Sequence, residues 1–195
     1  MLKDLVIRNR SYRSFDRNER LTRERVLSYI DTARLTPSAI NLQPIKYVPV
    51  IEELADKILP YTGWARALKM PLPPKGKGPG AFVLMCIDTK ATPNAKFATY
   101  DVGIAAQTML LSAVEDGLGG CILLSYDSEK IKKELSLADE LEILLCVAIG
   151  KPDETVVLEN LEKDGSTSYY RDENNVHHVP KRKLEDIIIN VGASE

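Results

Sequence analysis

Ala81 to Asp88 reads AFVLMCID, a continuous apolar run of the kind a fully buried strand carries, and the segments around it limit what it can pair with. Asp101 to Asp116 follows with Val102, Ala105, Ala106, Met109, Leu110, Ala113 and Val114 at positions that make a helix buried over much of its circumference. Its small residues Gly103, Ala105 and Ala106 permit close approach of another helix. Gly117 to Gly120 ends this helix and leads into a short strand, CILL. A polar helix with Ile131 and Leu135 comes next, then Ile143 to Ile149 as a second core strand.

The first eighty residues supply the rest. Leu2, Leu5 and Val6 lie at helical spacing, and Val26, Leu27, Ile30 and Ala33 define a second amphipathic helix with Thr22 as its N-cap and Glu24 in its first turn. Tyr47 to Ile51 reads as a strand. Pro49 cannot donate to a ladder, which places that strand at a sheet edge or a bulge. A short helix around Leu54, Ile58 and Leu59 precedes Met70 to Gly80, which holds four of the 11 prolines and three of the 11 glycines and is a loop. Strands alternating with helices through residue 150 argue for an α/β or α+β sheet with helices packed on it. The final 45 residues break that rhythm and are expected to cross a surface and then dock. There is no internal repeat.

At 195 residues the chain is long enough to fold without disulfides or metal. Its 26 basic and 28 acidic residues, net −2, exclude a generally basic nucleic-acid binder. Residues 1–25 nevertheless carry eight basic side chains against four acidic ones, a local excess that can hold an anion. Cys86, Cys121 and Cys146 are odd in number and widely spaced, so neither a disulfide framework nor a zinc site is indicated. The start lacks an apolar stretch of signal-peptide type and no apolar run is long enough to cross a bilayer. A cytoplasmic protein with no membrane or nucleic-acid partner is expected.

Four short motifs carry chemistry. In NRSYRSF, Arg10 and Arg13 flank Ser11; guanidinium forks match phosphate oxygens two at a time and the hydroxyl adds a donor, although a solvated basic face also accounts for the pair. In PSAINLQP, residues Pro37, Ser38, Ala39, Asn41 and Gln43 form a proline-bounded loop whose amides can read a ring edge, or simply connect helix to strand. In GLGGC, Gly119 and Gly120 allow backbone N–H groups to approach a ring or anion, or else end the preceding helix. Neither this spacing nor GKGPG at 76–80 is a dinucleotide or phosphate loop. Lys181, Arg182 and Lys183 form a cationic cluster in the tail, equally accounted for as a solvated charge run.

His177 and His178 are the only histidines. Adjacent side chains diverge, so a metal site or a triad built on them has little support and a pair of surface histidines is expected. Tyr169 and Tyr170 read as packing residues, and Trp64 as either a stacking platform or a partly buried anchor.

In this order, the Arg-Ser-x-Arg-x-Phe segment, the PSAxNxQP loop, the glycine cluster after a small-residue helix and the cationic tail resemble the FMN-dependent nitroreductase family, from about Val6 to Ile188. The resemblance implies an α+β sandwich with a mostly antiparallel central sheet flanked by helices. It further implies one domain over 1–195, an intertwined homodimer, and 151–195 as a tail embracing the partner. By motif, Arg10, Ser11 and Arg13 are expected at the FMN phosphate, ribityl chain and pyrimidine edge, Lys181 and Lys183 at the phosphate, and Pro37, Ser38, Ala39, Asn41 and Gln43 near the flavin, partly from the partner. Gly119 and Gly120 are expected along the ring near N5, with Arg13 charging the N1 and O2 edge.

No side chain is needed as a catalytic base. The implied activity is ping-pong: NADH or NADPH reduces FMN at N5, and a nitroaromatic, quinone or similar small-molecule acceptor then takes the hydride. The sequence departs from the family at Asn9, where a further basic residue is common, and at Ile45, where an aromatic is. Two alternatives stay open: an FMN enzyme with specialised chemistry such as dehalogenation or ring or C–C oxidation, and a non-catalytic anion-binding dimer.

Overall fold

The computed structural model describes residues 1–92 and 96–189. The chain divides into two units, 1–153 and 154–195. Residues 190–195, the end of the expected tail, lie outside the described residues.

In the first unit, β3 (Ala81–Asp88) and β5 (Leu141–Pro152) form the centre of a five-stranded sheet, with β2 (Ile45–Ile51) on the outer side of β3 and both β1 (Phe15–Asp16) and β4 (Gly119–Leu123) on the outer side of β5. Every pairing in this sheet is antiparallel. Pro49 is accommodated because β2 is the edge, as its missing N–H requires.

The apolar run of β3 follows from burial on two sides. Ala81, Val83 and Met85 face a core built with α2 (Arg23–Ala33) and α4 (Ala98–Glu115), while Phe82, Leu84 and Cys86 face a second core built with α3 (Glu52–Ile58), α5 (Ser128–Glu134), Phe15 and Trp64. A register shift opposite Met85 and Cys86 makes Leu144 the extra residue on β5, so Leu145 and Ile143 enter different cores although their spacing would put them on one face. Trp64 is 5% exposed, edge-on to Phe15 and Phe82, with its indole N–H donated to Thr62. It is an anchor and not a stacking platform. All three cysteines are free and buried.

Thr22 caps α2 by accepting from the Arg25 N–H at 3.3 Å. One turn on, the buried Tyr29 donates its hydroxyl to Asp116 at 2.7 Å and accepts from Arg25, tying α2 to the end of α4. Burial, reinforced by the Asp116 bond, pushes the Tyr29 phenol up to about 12. Gly117 (φ +73°) then ends α4 in a Schellman motif: its N–H reaches Val114 O at 3.0 Å and that of Leu118 reaches Ala113 O at 2.9 Å. The remaining helix, α1 (Leu2–Arg8), buries none of its residues fully.

The second unit is a three-stranded sheet in the order β6 (Val156–Asn160), β8 (His177–Lys181), β7 (Tyr170–Arg171), with β6 and β8 parallel. Glu154 and Arg171 pair within it, both almost wholly buried. The histidines do diverge, but they are not a surface pair. His177 is 1% exposed with Tyr169 5.3 Å from its ring, because alternation along β8 turns its side chain inward. His178 stacks on Tyr170 at 4.7 Å and stands between two carboxylates, Nδ1 2.5 Å from Glu159 and Nε2 3.2 Å from Asp172.

Those bonds, Asp172 first and Glu159 second, hold the His178 imidazolium above the ordinary histidine range. Backbone N–H donation from Val176, then the His178 bond, holds Asp172 below the carboxylate range. A raised histidine contributes stability that is complete below its unfolded pKa of about 6.5 and is lost as pH rises through the folded value. Amide protection factors on β6 and β8 are therefore expected to fall as pH rises above the unfolded value of about 6.5 in the native chain and to fall less across that range in His178→Gln. Hydrogen exchange at a series of pH values checks this, and an equal fall in both proteins refutes it.

Candidate functional site

Two clusters form in the first unit. In one, the Arg-Ser-x-Arg segment lies along β4: Ser11 bridges Gly120, and the Tyr12 N–H donates to Gly120 O at 2.9 Å. The first and third sequence motifs are thereby brought together. Gly120 is required by close approach, since a Cβ there would stand 2.1 Å from the Ala148 carbonyl oxygen. Gly119 opens β4 opposite Gly150, so the glycine cluster splits its duties: Gly117 ends the helix, and Gly119 and Gly120 belong to the strand.

Arg10 donates Nη2 to Val6 O at 2.7 Å, while its Nε is buried without a hydrogen-bond partner. Burial draws its pKa down, and the nearby Tyr12 opposes that shift. Arg13 is 9% exposed and donates to Ser11 O at 3.0 Å. Asn9 is equally buried and closes α1 as its C-cap, a structural use for the position that departs from the family pattern. Two guanidiniums and a hydroxyl are thus carried on a segment beside a glycine strand, and such groups have the chemistry to bind an anion.

The second cluster is the loop from Thr36 to Pro44, which contains a 3-10 turn over Ala39–Asn41. Ile40, Asn41 and Gln43 all adopt left-handed φ values of 49°, 56° and 48°. Such a conformation is uncommon for any side chain and an outlier for β-branched Ile40, so it persists only where surrounding bonds over-determine it. Those bonds converge on Ser38. Its hydroxyl donates to Asp101 at 2.6 Å and accepts from the Gln43 N–H at 2.9 Å. Asp101, 4% exposed in the first turn of α4, also accepts from the Ala39 N–H. The side-chain amide of Gln43 donates to Asn41 Oδ1 at 3.1 Å, leaving both amides at the surface. A cavity of about 150 Å³ opens beside this loop, lined by Pro37, Ser38, Tyr47 and Asp101 among others. Burial, with the Asp101 charge second, raises the Tyr47 phenol above its ordinary value. Sequence reasoning missed Asp101, because an acid in a first helical turn is already accounted for by the helix dipole.

Sheet register separates the clusters. Gly120 lies in one cross-strand row with Ile149, Ala81 and Ile51, whereas the loop enters β2 at Ile45, which pairs with Ile87 at the other end of the sheet. Three strand spacings amount to about 14 Å across, and the length of β2 adds about 20 Å along the strands. Within one chain the two clusters therefore occupy opposite corners of the sheet.

In the second unit Lys181 ends β8 and is exposed, while Lys183 approaches Glu162 at 3.7 Å. No group of three or more His, Cys, Asp or Glu among the described residues is placed to hold a metal. No helix among them is long and apolar enough to cross a membrane.

This architecture defines an α+β chain with an antiparallel sheet, with two arginines on the segment that runs along β4. The family model described as "Nitroreductase family" matches residues 7–151, and the chain belongs to that family. Over 185 residues it is 24% identical to "Putative NAD(P)H nitroreductase MhqN" of Bacillus subtilis, covering 75% of this chain and 86% of that one. A crystal structure of a nitroreductase family protein from Streptococcus pneumoniae superposes with a TM-score of 0.70 at 18% identity, covering 98% of this chain and 100% of that chain. A protein of Exiguobacterium sibiricum crystallised in complex with FMN gives a TM-score of 0.67 at 16% identity, covering 79% and 89%. Family membership makes the chain an oxidoreductase. The Arg10 segment, the Ser38 loop and the Gly120 strand all fall inside the matched region, and Lys181 and Lys183 fall beyond it.

Proposed function

We propose that the protein is a cytoplasmic FMN-dependent NAD(P)H oxidoreductase that works as a homodimer and reduces nitroaromatic, quinone or similar conjugated acceptors. The observation that carries this is the corner-to-corner separation of the two clusters: a flavin touched by both needs one cluster from each of two copies. A dimer in which 154–195 reaches across to the partner fits the family resemblance. The FMN complex of the Exiguobacterium relative and the NAD(P)H in the name of the Bacillus relative support the cofactor and the donor.

The residues present fit FMN. A buried Arg10 Nε without a hydrogen-bond partner suits an anionic phosphate or an electron-rich ring edge, since buried donors are rarely left unmade. Arg10, Ser11 and Arg13, joined by Lys181 and Lys183, would hold the phosphate and the pyrimidine side; Gly119 and Gly120 would line the ring. Pro37, Ser38, Ala39, Asn41 and Gln43 of the partner copy would close the other side. When bound, FMN supplies the hydride chemistry. The chain itself would bind and orient it, and Arg13 would place positive charge at the edge where reduction adds negative charge. Ser38 acts through its loop, because its hydroxyl is already committed to Asp101 and Gln43. Buried, free cysteines suit a reducing compartment.

The visible absorbance spectrum of the purified protein, after incubation with FMN and desalting, tests the function. A retained flavin spectrum bleached by NADH or NADPH is expected. Folded protein that stays colourless, yet gains thermal stability from simple phosphate esters, overturns it in favour of the anion-binding dimer.

A further inference from the structure

Asp101 is a buried acid that the proposed chemistry never touches. A carboxylate removed from water needs donors, and the two it holds, the Ser38 hydroxyl at 2.6 Å and the Ala39 N–H at 3.2 Å, both come from the loop at 36–44. The shorter bond is charge-assisted and of the strong class. Ser38 passes the constraint on by accepting from the Gln43 N–H, so one carboxylate fixes both ends of the segment carrying three left-handed residues. The anchor is itself rigid. Asp101 sits near the start of the 18-residue α4, whose far end is tied to Tyr29 and runs through Gly117 into the Gly119–Gly120 strand. One helix thus connects the two corner clusters of the chain.

We propose that Asp101 is the positioning residue for the FMN-facing loop, setting the presentation of Asn41 and Gln43 through Ser38 and Ala39. The proposal rests on the FMN assignment above. It accounts for two features otherwise unconnected: a buried acid facing a cavity, and a loop that keeps Ile40 at positive φ while 86% exposed, with no core contact of its own to hold it there.

The test uses full-length dimer and the variants Asp101→Asn, Asp101→Ala, Ser38→Ala and Asp101→Asn with Ser38→Ala. Asparagine keeps the shape and one acceptor oxygen where two are needed. FMN dissociation constants are expected to rise about tenfold in Asp101→Asn and further in Asp101→Ala, with a changed visible circular dichroism of the bound flavin. Amide exchange at Ala39 and Gln43 should quicken while Met109 and Leu110 in the middle of α4 keep their protection. The double variant should bind FMN no worse than Asp101→Asn alone, because the two residues act as one unit.

Wild-type FMN affinity and exchange in Asp101→Asn overturn the proposal, as does an additive double variant or loosening spread along all of α4. If Asp101→Ala does not fold, Asp101→Asn decides. If the native protein binds no FMN, the functional assignment falls, and amide exchange at Ala39 and Gln43 still decides whether Asp101 holds the loop.

Discussion

Gly120→Ala is expected to lower the melting temperature by about 6–12 °C, the effect of roughly 3 kcal/mol on a chain of this size. The added Cβ would lie 2.1 Å from the Ala148 carbonyl oxygen and 2.6 Å from Leu110 Cδ2. Leu110 can rotate, but Ala148 is main chain on the neighbouring strand, so β4 must move away from β5. That movement also displaces the Arg10 segment, because the Tyr12 N–H is bonded to Gly120 O. Flavin retention should therefore fall together with stability. Gly103→Ala supplies the contrast: Gly103 is exposed and, against the expectation of helix close approach within the chain, a Cβ there meets nothing within 4 Å, while alanine in a helix interior is favoured over glycine by about 0.5–1 kcal/mol. Thermal denaturation of the two variants checks the pair, and equal melting temperatures refute the close-approach argument.

Arg10→Ala with Arg13→Ala is expected to weaken FMN binding by at least about 100-fold, since each guanidinium removes one or more charge-assisted bonds worth about 1.5–3 kcal/mol. Salt separates the expected cause from a packing loss. Binding by the native protein should weaken as ionic strength rises, and binding by the double variant should depend on it far less. Fluorescence titration of FMN at two salt concentrations measures both. Full flavin content in the double variant contradicts the site assignment outright. Arg13, the more buried of the two, should also contribute to stability, so Arg10→Ala alone isolates the binding effect.

How much of this was legible in the sequence depended on whether its cause was local. AFVLMCID marked β3 to the residue, because burial on both faces leaves no polar position before its half-buried last residue, Asp88. Pro49 limited its strand to an edge or a bulge through its missing donor, of which the fold uses the edge, and Thr22 announced a helix start through its hydroxyl. Where the cause was tertiary, the sequence was silent. The two residues of β1 carry no periodicity and are a strand only because they pair with Lys151 and Pro152. The short strands β6 to β8 hide in a polar segment, and His177 gave no sign that it would be buried.

The site divides the same way. Arg10, Ser11 and Arg13 could be singled out as candidate anion ligands because guanidinium and hydroxyl chemistry is written in the residue types, and that role stays a proposal. That Gly120 lies beside them, and that Asp101 organises a loop some sixty residues earlier, depends on the register of a sheet and the end of a helix. Lys181 and Lys183 belong to the second unit, and their part in anion binding stays a proposal drawn from the resemblance.

Sedimentation velocity of FMN-loaded protein, recorded at both protein and flavin wavelengths, tests the central claim most directly. The two corner clusters predict that all bound flavin sediments with a species of twice the chain mass, at one FMN per chain, and that protein diluted to single chains releases it. Flavin that remains bound to a single chain would contradict the two-copy site.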